Sequence, residues 1–524
     1  MRYLPADVSS FELLRTGNYI YIDKTEYIYK LFQAGARHFF LSRPRRFGKT
    51  LIISALKELF LGNRELFKGL WIDTSDWKWE KHPVIHLDFG TIGHSNAEAF
   101  RINLAWILDK RADEYGIDTK SAPSVETKLL LFIEELSKKF GVNSVVVLID
   151  EYDKPILDHL KDIEQAKAQR DVLKSFYDVL KGLDQHLRAI FITGVTKFAK
   201  TSLFSGLNNL NDITIDPKSA NLLGYTEQEI TTSFTEYLEA LANDNKSTPE
   251  IILHEMKTWY NGYQFSEQPL KVYNPFSVIY CLEKKKFANY WYESGTPTFL
   301  VNLLRSQYQG LEEIKDVEIG ADNLGSFDIE NIPLVPLLFQ TGYLTLAHYN
   351  EATKKYKLSY PNFEIEESFK KFLISSLAHV TSIMVDTSLT KLINALKAQD
   401  LASLCKILQT LFAQIPYTLH IEQESYYHSL FQFLMSLLAL EAHSEVITNR
   451  GIVDTVMSID NILYIFELKL NKKATHALKQ IRDKKYYEPY LLTHSKIILV
   501  GLSFKAKENE RLNVEYTAQE LSGG

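Results

Sequence analysis

Cysteine is almost missing from this chain, with two residues, Cys281 and Cys405, in 524. They lie far apart and lack metal-ligand spacing, which excludes a disulfide framework and a cysteine-built zinc site. Both read as packing residues of a protein expected in a reducing cytoplasm. Long hydrophobic runs are also missing. No stretch approaches the roughly 18 consecutive apolar residues of a membrane span, and the N-terminal MRYLPADVSSFELLR has no apolar core of signal-peptide type. The expectation is a soluble cytoplasmic protein with no membrane partner. An excess of positive charge is missing too. The formal net charge of -6 gives no overall pull toward nucleic acid, although a local groove can be basic on an acidic protein. Hydrophobic residues at 45% and charged residues at 24% argue against long disorder, and the length asks for more than one core.

The N-terminal part alternates strand and helix. Ala36–Ser42 (ARHFFLS) reads as a short apolar strand that runs into RPRRFGKT and then the helical LIISALKELFLG. Pro83–Phe89 is a second strand and Val125–Phe140 a helix. Ser144–Asp150 (SVVVLID) is an uninterrupted apolar strand, Asp171–Leu183 a helix, and Leu187–Thr193 a further strand. Continuous Val/Ile/Leu runs separated by helices predict a parallel sheet covered on both faces. From about Gly224 strands give way to helices at Thr226–Leu241 and Pro249–Tyr260, with an aromatic-rich loop between Asn261 and Pro275. Asn331–Tyr349 reads as a helix, a turn at Gly342 and a strand, and Lys355–Tyr360 as its partner, which together form a winged-helix pattern. Phe363–Ile415 is helical and amphipathic. Glu424–Glu515 follows in the order helix, hairpin, helix, strand. The domains expected are an α/β unit with the parallel sheet at 1–223, a helical lid and winged-helix-like region at 224–362, a helical linker at 363–418 and a compact α/β unit at 419–520.

Arg43–Thr50 stands where a phosphate loop belongs, between a strand and a helix. Backbone N–H groups at a helix N-terminus would face the phosphates, Lys49 would reach the β- and γ-phosphates, and the Thr50 hydroxyl would reach Mg2+. Gly48 supplies the second glycine of that loop, and Arg43 occupies the place of the first. About 100 residues downstream a buried strand ends in Asp150 and Glu151. Asp150 is placed to hold Mg2+ through water, and Glu151 to polarise the attacking water. Thr193, at the end of a third strand, is a candidate sensor of the γ-phosphate, a strand cap being the alternative.

YIDKTEYI (Tyr21–Ile28), RPRRFGKT, LIDEYDKP, ITGVTKF (Ile192–Phe198), WYNGY (Trp259–Tyr263), VYNPFS (Val272–Ser277) and ESGTPTFL (Glu293–Leu300) occur in an order that resembles the AAA-ATPase-like family of bacterial proteins. In that family a P-loop ATPase precedes a PD-(D/E)XK nuclease-like domain. The resemblance covers most of the chain and implies ATP as cofactor. It also implies that the RPRRFGK form tolerates the missing first glycine, with Arg43, Arg45 and Arg46 adding charge to the phosphates or forming a solvated basic turn.

Ser444–Leu470 holds two apolar runs separated by Asp460–Asn461, a good two-residue hairpin turn. With those residues as the turn, Asp454 falls opposite Glu467, at the roughly 4.5–5.5 Å Cβ spacing of cross-strand neighbours. Alternation along the strand puts Lys469 on the same face as Glu467, with Phe466 and Leu468 on the other. Two carboxylates and a lysine on one surface suit metal-assisted phosphodiester hydrolysis, the alternative being a hairpin whose outward face is charged. The resemblance to the PD-(D/E)XK fold implies Asp454 and Glu467 as ligands of Mg2+ or Mn2+ and Lys469 as the catalytic lysine. It further implies Gln480 as an auxiliary residue and Glu424 or Glu445 as an extra acid. Gln480 and Lys484 share one helical stripe. His428 is as readily a helix-face histidine, and Tyr486 and Tyr487 favour packing over base stacking. The expected function is a P-loop ATPase coupled to a nuclease acting on nucleic acid, with DNA favoured over RNA. The alternative is a switch ATPase whose C-terminal domain binds nucleic acid or a partner without cutting. A scaffold that has lost nucleotide turnover is disfavoured by Lys49, Thr50, Asp150 and Glu151. A homo-oligomer is compatible with either of the first two.

Overall fold

The computed structural model describes residues 1–33, 35–198, 203, 209–293, 300, 303, 317–413, 424–441, 446–447, 455–505 and 512–522. They divide into two compact units, one running to Ile365 and one from Glu366 onward. Most of the helical stretch expected as a linker therefore lies in the second unit.

The first unit is built on a five-stranded parallel sheet of order β2-β3-β4-β1-β5. The strands are β1 (His38–Ser42), β2 (Val84–Asp88), β3 (Val145–Asp150), β4 (Leu187–Gly194) and β5 (Asn211–Asp212). Every residue of β1 and β3 is buried, as continuous apolar strands covered on both faces require. Phe39, Leu41, Val146 and Leu148 share a core with Ile52, Ile53, Leu56 and Leu59 of the helix Lys49–Phe60. The helix expected from Asp171 begins earlier, at Ile163, because Asp162 caps it by accepting the amide of Gln165.

Beyond Gly224 the helices are present, but strands do not stop. A short hairpin, β6 (Tyr263–Gln264) with β7 (Lys271–Val272), lies inside the aromatic-rich loop. The wing expected after the helix Leu334–Thr341 gains a third strand from before it, giving the order β8-β10-β9: β8 (Glu318–Gly320), β9 (Thr345–Asn350) and β10 (Lys355–Ser359). The single helix expected over Thr226–Leu241 is broken at Phe234 into Glu227–Ser233 and Thr235–Asp244.

The second unit carries a mixed sheet of order β11-β12-β13-β14-β15: β11 (Val446–Ile447), β12 (Thr455–Ile459), β13 (Ile462–Leu470), β14 (Lys496–Lys505) and β15 (Asn513–Ser522). Asp460 and Asn461 have φ of 47° and 64°, the left-handed pair that a two-residue hairpin turn demands. One face of the sheet buries Leu463 and Ile465 against Leu478 and Ile481 of the helix Ala474–Asp483. On the other face Phe466 meets Phe431 with ring centroids 5.5 Å apart. Among the described residues no single helix is long and apolar enough to cross a membrane.

Candidate ATP and phosphodiesterase sites

The sheet delivers its polar residues to one edge. β1 ends at Ser42, the loop Arg43–Phe47 follows, and Gly48, at φ 91°, turns the chain into the helix Lys49–Phe60. A side chain at that φ would be strained, so this glycine is required by the turn. Lys49 is 6% exposed, and its ammonium donates to the carbonyls of Arg43 and Pro44, both at 2.9 Å. Burial pushes its pKa down, while Asp150, Glu151 and Asp153 act in the opposite direction. Thr50 is exposed in the first helical turn. The arginines separate. Arg43 is sealed in, donating to the carbonyls of Thr214 (2.5 Å) and Ser219 (3.3 Å), with its guanidinium over the Phe265 ring at 4.1 Å. Burial lowers its pKa to about 9. Its guanidinium is thus occupied by main chain near β5. Arg45 is half-buried and Arg46, at φ 66°, is exposed, its guanidinium 4.7 Å from the Phe276 ring centre.

Asp150 closes β3 and is 1% exposed. Its Oδ1 accepts the Thr193 hydroxyl at 2.5 Å and the Glu151 amide at 3.0 Å, while its buried Oδ2 has no hydrogen-bond partner. A buried carboxylate oxygen without a donor is costly, and a cation beside it would remove that cost. Asp88, at the end of β2, pairs in register with Asp150. The Asp88 carboxylate accepts the amide of Gly90 at 2.9 Å. A Cβ built on Gly90 would lie 2.2 Å from Oε2 of Glu151 and 3.1 Å from Oδ1 of Asp88, so both carboxylates crowd the space that the glycine leaves open. Burial raises the pKa of Asp88 and of Glu151, and Asp150 raises both further, although Lys49 opposes the rise at Glu151. Glu151 itself holds φ 51°, a conformation that costs a non-glycine residue of order 1–3 kcal/mol.

Asp153 is a fourth acid of this edge and is fully enclosed. It accepts the amides of Val195 (3.1 Å) and Thr196 (2.7 Å) and the Thr196 hydroxyl (2.6 Å), which fastens ITGVTKF to the end of β3. The amide of Lys197 then donates to Gln340 at 2.8 Å, on the helix Leu334–Thr341. The phosphate loop is gripped from the same side. Pro44 abuts Gly342, the Trp291 indole donates to the Arg45 carbonyl at 2.9 Å, and Phe47 packs edge-on to Tyr263 and Phe265. Two of the remaining motifs act as structural fasteners. Lys24 of YIDKTEYI is buried against Glu229 at 2.6 Å, and Asn274 of VYNPFS caps the following helix.

In the second unit, β12 and β13 pair Thr455 with Phe466 and Ile459 with Ile462, the register set by an Asp460–Asn461 turn. Glu467 is 1% exposed, and the Lys469 ammonium lies 3.1 Å from its Oε1. Glu467 pairs with Gly501 of β14. A Cβ there would lie 2.4 Å from the Ala474 carbonyl oxygen and 2.5 Å from the Leu478 amide. The first turns of the helix Ala474–Asp483 therefore press onto the sheet beside Glu467. Gln480 is half-buried on that helix and Lys484 exposed at its end, while Tyr486 and Tyr487 pack against the apolar cluster under it. His428 is half-buried, 3.5 Å from Gln432. Asp454 and Glu445 lie outside the described residues, as does most of ESGTPTFL. Glu424 opens the helix Glu424–Glu441.

Residues 5–204 match the family model described as predicted AAA-ATPase, and residues 422–513 match that of the PD-(D/E)XK nuclease superfamily. Over 515 residues the chain is 36% identical to a protein of Azotobacter chroococcum mcd 1 described as "Uncharacterized protein in vnfD 5'region", covering 96% of each chain. The chain belongs to the AAA-ATPase-like family. Its C-terminal unit carries a PD-(D/E)XK nuclease superfamily domain.

In this AAA-ATPase-like protein the structure brings Lys49, Asp150, Glu151 and Thr193 to one edge of the parallel sheet, and Glu467 and Lys469 to one face of the mixed sheet. Asp88, Gly90 and Asp153 escaped the sequence reading. Asp153 had a signal, since it stands in LIDEYDKP, between the acids of β3 and a proline. Asp88 had only a strand-end position, and its relevance depends on β2 lying next to β3.

Proposed function

We propose that this AAA-ATPase-like protein binds and hydrolyses ATP at the edge of its parallel sheet, and that nucleotide state controls metal-dependent phosphodiester hydrolysis of nucleic acid by its C-terminal domain. The phosphates would lie against the amides at the N-terminus of the helix Lys49–Phe60. Lys49 would exchange the carbonyls of Arg43 and Pro44 for phosphate oxygens. Thr50 and Asp150 would hold Mg2+, and the unpartnered Oδ2 of Asp150 fits a cation. Bound there, the ion neutralises charge on the phosphates. Glu151 orients the attacking water and takes its proton, with Asp88 beside it.

The observation that carries the nuclease half is the buried Glu467 with Lys469 on its face of β13, in a hairpin that turns at Asp460–Asn461. Asp454 and Glu467 would hold Mg2+ or Mn2+, an ion that supplies an activated water and stabilises the leaving oxygen. Lys469 positions that water, and Gln480 assists.

The test is cleavage of a panel of single- and double-stranded DNA and RNA with Mg2+ or Mn2+, with and without ATP. The panel compares wild type with Lys49→Ala and Asp454→Ala. Cleavage lost in Asp454→Ala and altered in Lys49→Ala supports the reading. No cleavage of any substrate sinks the nuclease half, and unchanged ATP affinity in Lys49→Ala sinks the ATP half. A second reading, a switch ATPase whose C-terminal domain binds without cutting, draws on the contacts of Pro44 and Lys197 with Gly342 and Gln340. These tie both phosphate-facing elements to the winged-helix-like region.

A further inference from the structure

The chain is acidic overall, at -6, yet one surface of the C-terminal domain is basic. The helix Ala474–Asp483 buries Ala474, Ala477, Leu478 and Ile481, a stripe that fixes which side faces water. On and around the solvent side stand Lys472, Lys473, Lys479, Arg482 and Lys484, all exposed. Asp483 is the one acid among them. None of the five cations makes an ion pair with a described carboxylate, whereas Lys485 at the edge of the group is paired with Glu488 at 2.8 Å. The acids of the neighbouring β15 are already taken, Glu515 by Lys505 at 2.5 Å and Glu520 by Lys496 at 3.0 Å. Five cations held close together, unpaired with any carboxylate among the described residues, repel one another, and such a face is stabilised by an external polyanion.

Its position is fixed relative to Glu467 and Lys469. The turn from β13 into the helix is pinned by the Ser503 hydroxyl, which donates to the Lys472 carbonyl at 2.5 Å, and by the Asn471 amide, which donates to Phe504 at 2.8 Å. Ser503 pairs in register with Lys469, and Gly501 with Glu467. The helix's first turns rest on Gly501. The basic run thus begins a few residues past Lys469 and extends along a helix of 10 residues, about 15 Å long. Duplex DNA presents one phosphate per roughly 3.4 Å of axis on each strand, so that length spans about four phosphates of one strand.

We propose that this helix face is the docking track for the phosphate backbone of duplex DNA, leading the strand to Glu467 and Lys469. The proposal rests on the nuclease reading for its direction, but its binding test does not require cleavage. Lysines and an arginine that contact phosphate read charge and not sequence, so the track positions the duplex.

The experiment measures binding of the full chain to a labelled DNA duplex, in chelator, over a series of salt concentrations. It compares wild type with the triple variant Lys479→Gln, Arg482→Gln, Lys484→Gln. A charge-matched control carries Lys120→Gln, Lys138→Gln and Lys285→Gln, exposed lysines of the first unit. Loss of three phosphate contacts lowers the slope of log K against log salt by about 2.7, at roughly 0.9 per contact, and the control leaves the slope as in wild type. An unchanged slope in the track variant, an equal fall in the control, no measurable duplex binding by wild type, or a fall seen only with duplex RNA overturns the proposal. Cleavage assays run in parallel separate the two claims. Wild type that cuts DNA with an unchanged slope removes the track and keeps the nuclease, whereas a fallen slope with no cleavage by wild type does the reverse.

Discussion

Replacing Gly90 by alanine isolates the role of Glu151 without touching a charge. The added methyl would lie 2.2 Å from Oε2 of Glu151, and 3.1 Å from both its carboxyl carbon and Oδ1 of Asp88. Carbon and oxygen atoms in van der Waals contact sit about 3.5 Å apart, so the Glu151 carboxylate has to retreat by about 1 Å. Gly90 does not hold a left-handed φ, and its backbone accepts alanine. In the proposed function Glu151 is a catalytic group, and displacing such a group by 1 Å costs on the order of 10²-fold, equivalent to about 2.7 kcal/mol of barrier. Steady-state ATP hydrolysis by Gly90→Ala should therefore fall about 10²-fold in kcat. Nucleotide affinity, which the proposed function assigns to the phosphate loop and Lys49, should stay close to wild type. Combining Gly90→Ala with Glu151→Gln should slow the enzyme no further than Glu151→Gln alone, because both act on one group. Wild-type turnover in Gly90→Ala would refute the reasoning, as would a loss that adds in full to that of Glu151→Gln.

Three further outcomes follow from the same geometry. The pKa of Glu151 is raised by burial and by neighbouring acids, Asp88 among them. If ionised Glu151 accepts the proton of the attacking water, the rate falls as pH drops through that raised pKa. Asp88→Asn then moves the acid limb of the kcat profile to lower pH, and an unmoved limb excludes the coupling. Asp153→Ala strands the amides of Val195 and Thr196 and the Thr196 hydroxyl. At about 1–3 kcal/mol for each buried unsatisfied group, the first unit should lose at least about 3 kcal/mol, read as a lowered melting transition and early proteolysis. Gly501→Ala places a methyl 2.4 Å from the Ala474 carbonyl oxygen and 2.5 Å from the Leu478 amide. It should lift the helix Ala474–Asp483 from the sheet at a cost of about 1–3 kcal/mol and weaken DNA binding together with any cleavage. An unchanged melting temperature would contradict that placement.

Local chemistry was legible wherever it was also sufficient. The uninterrupted VVVLID could only be a strand buried on both faces, and β3 is that strand. The Asp460–Asn461 pair specified a two-residue turn, and the register of β12 with β13 follows from the turn alone. Arg43 shows the opposite case. Its place in a basic loop suggested a phosphate contact, but the carbonyls that occupy it belong to Thr214 and Ser219, more than 170 residues away, and no local pattern announces them. Asp88 and Gly90 were hidden for the same reason, since a strand-end acid acquires meaning only when β2 is known to lie beside β3. β8, three residues long, is too short to show alternation.

The contacts around the phosphate loop also bear on how nucleotide could act at a distance. Lys49 holds the loop's own carbonyls, so the phosphate contact proposed for it would require it to release Arg43 and Pro44. Pro44 cannot move freely, because it abuts Gly342, and Gly342 ends the helix whose Gln340 accepts the amide of Lys197 beyond β4. A rearrangement at Pro44 is therefore felt at the C-terminal end of one short helix, through packing at Gly342 and, two residues earlier, through a hydrogen bond at Gln340. Packed elements shift between discrete arrangements and do not deform continuously, so the helix Leu334–Thr341 is the element of the first unit best placed to register whether phosphate is bound. Glycine 342 has φ 93° and no side chain to wedge against Pro44. A bulkier residue there would press on the loop from outside and bias Lys49 before any nucleotide arrives.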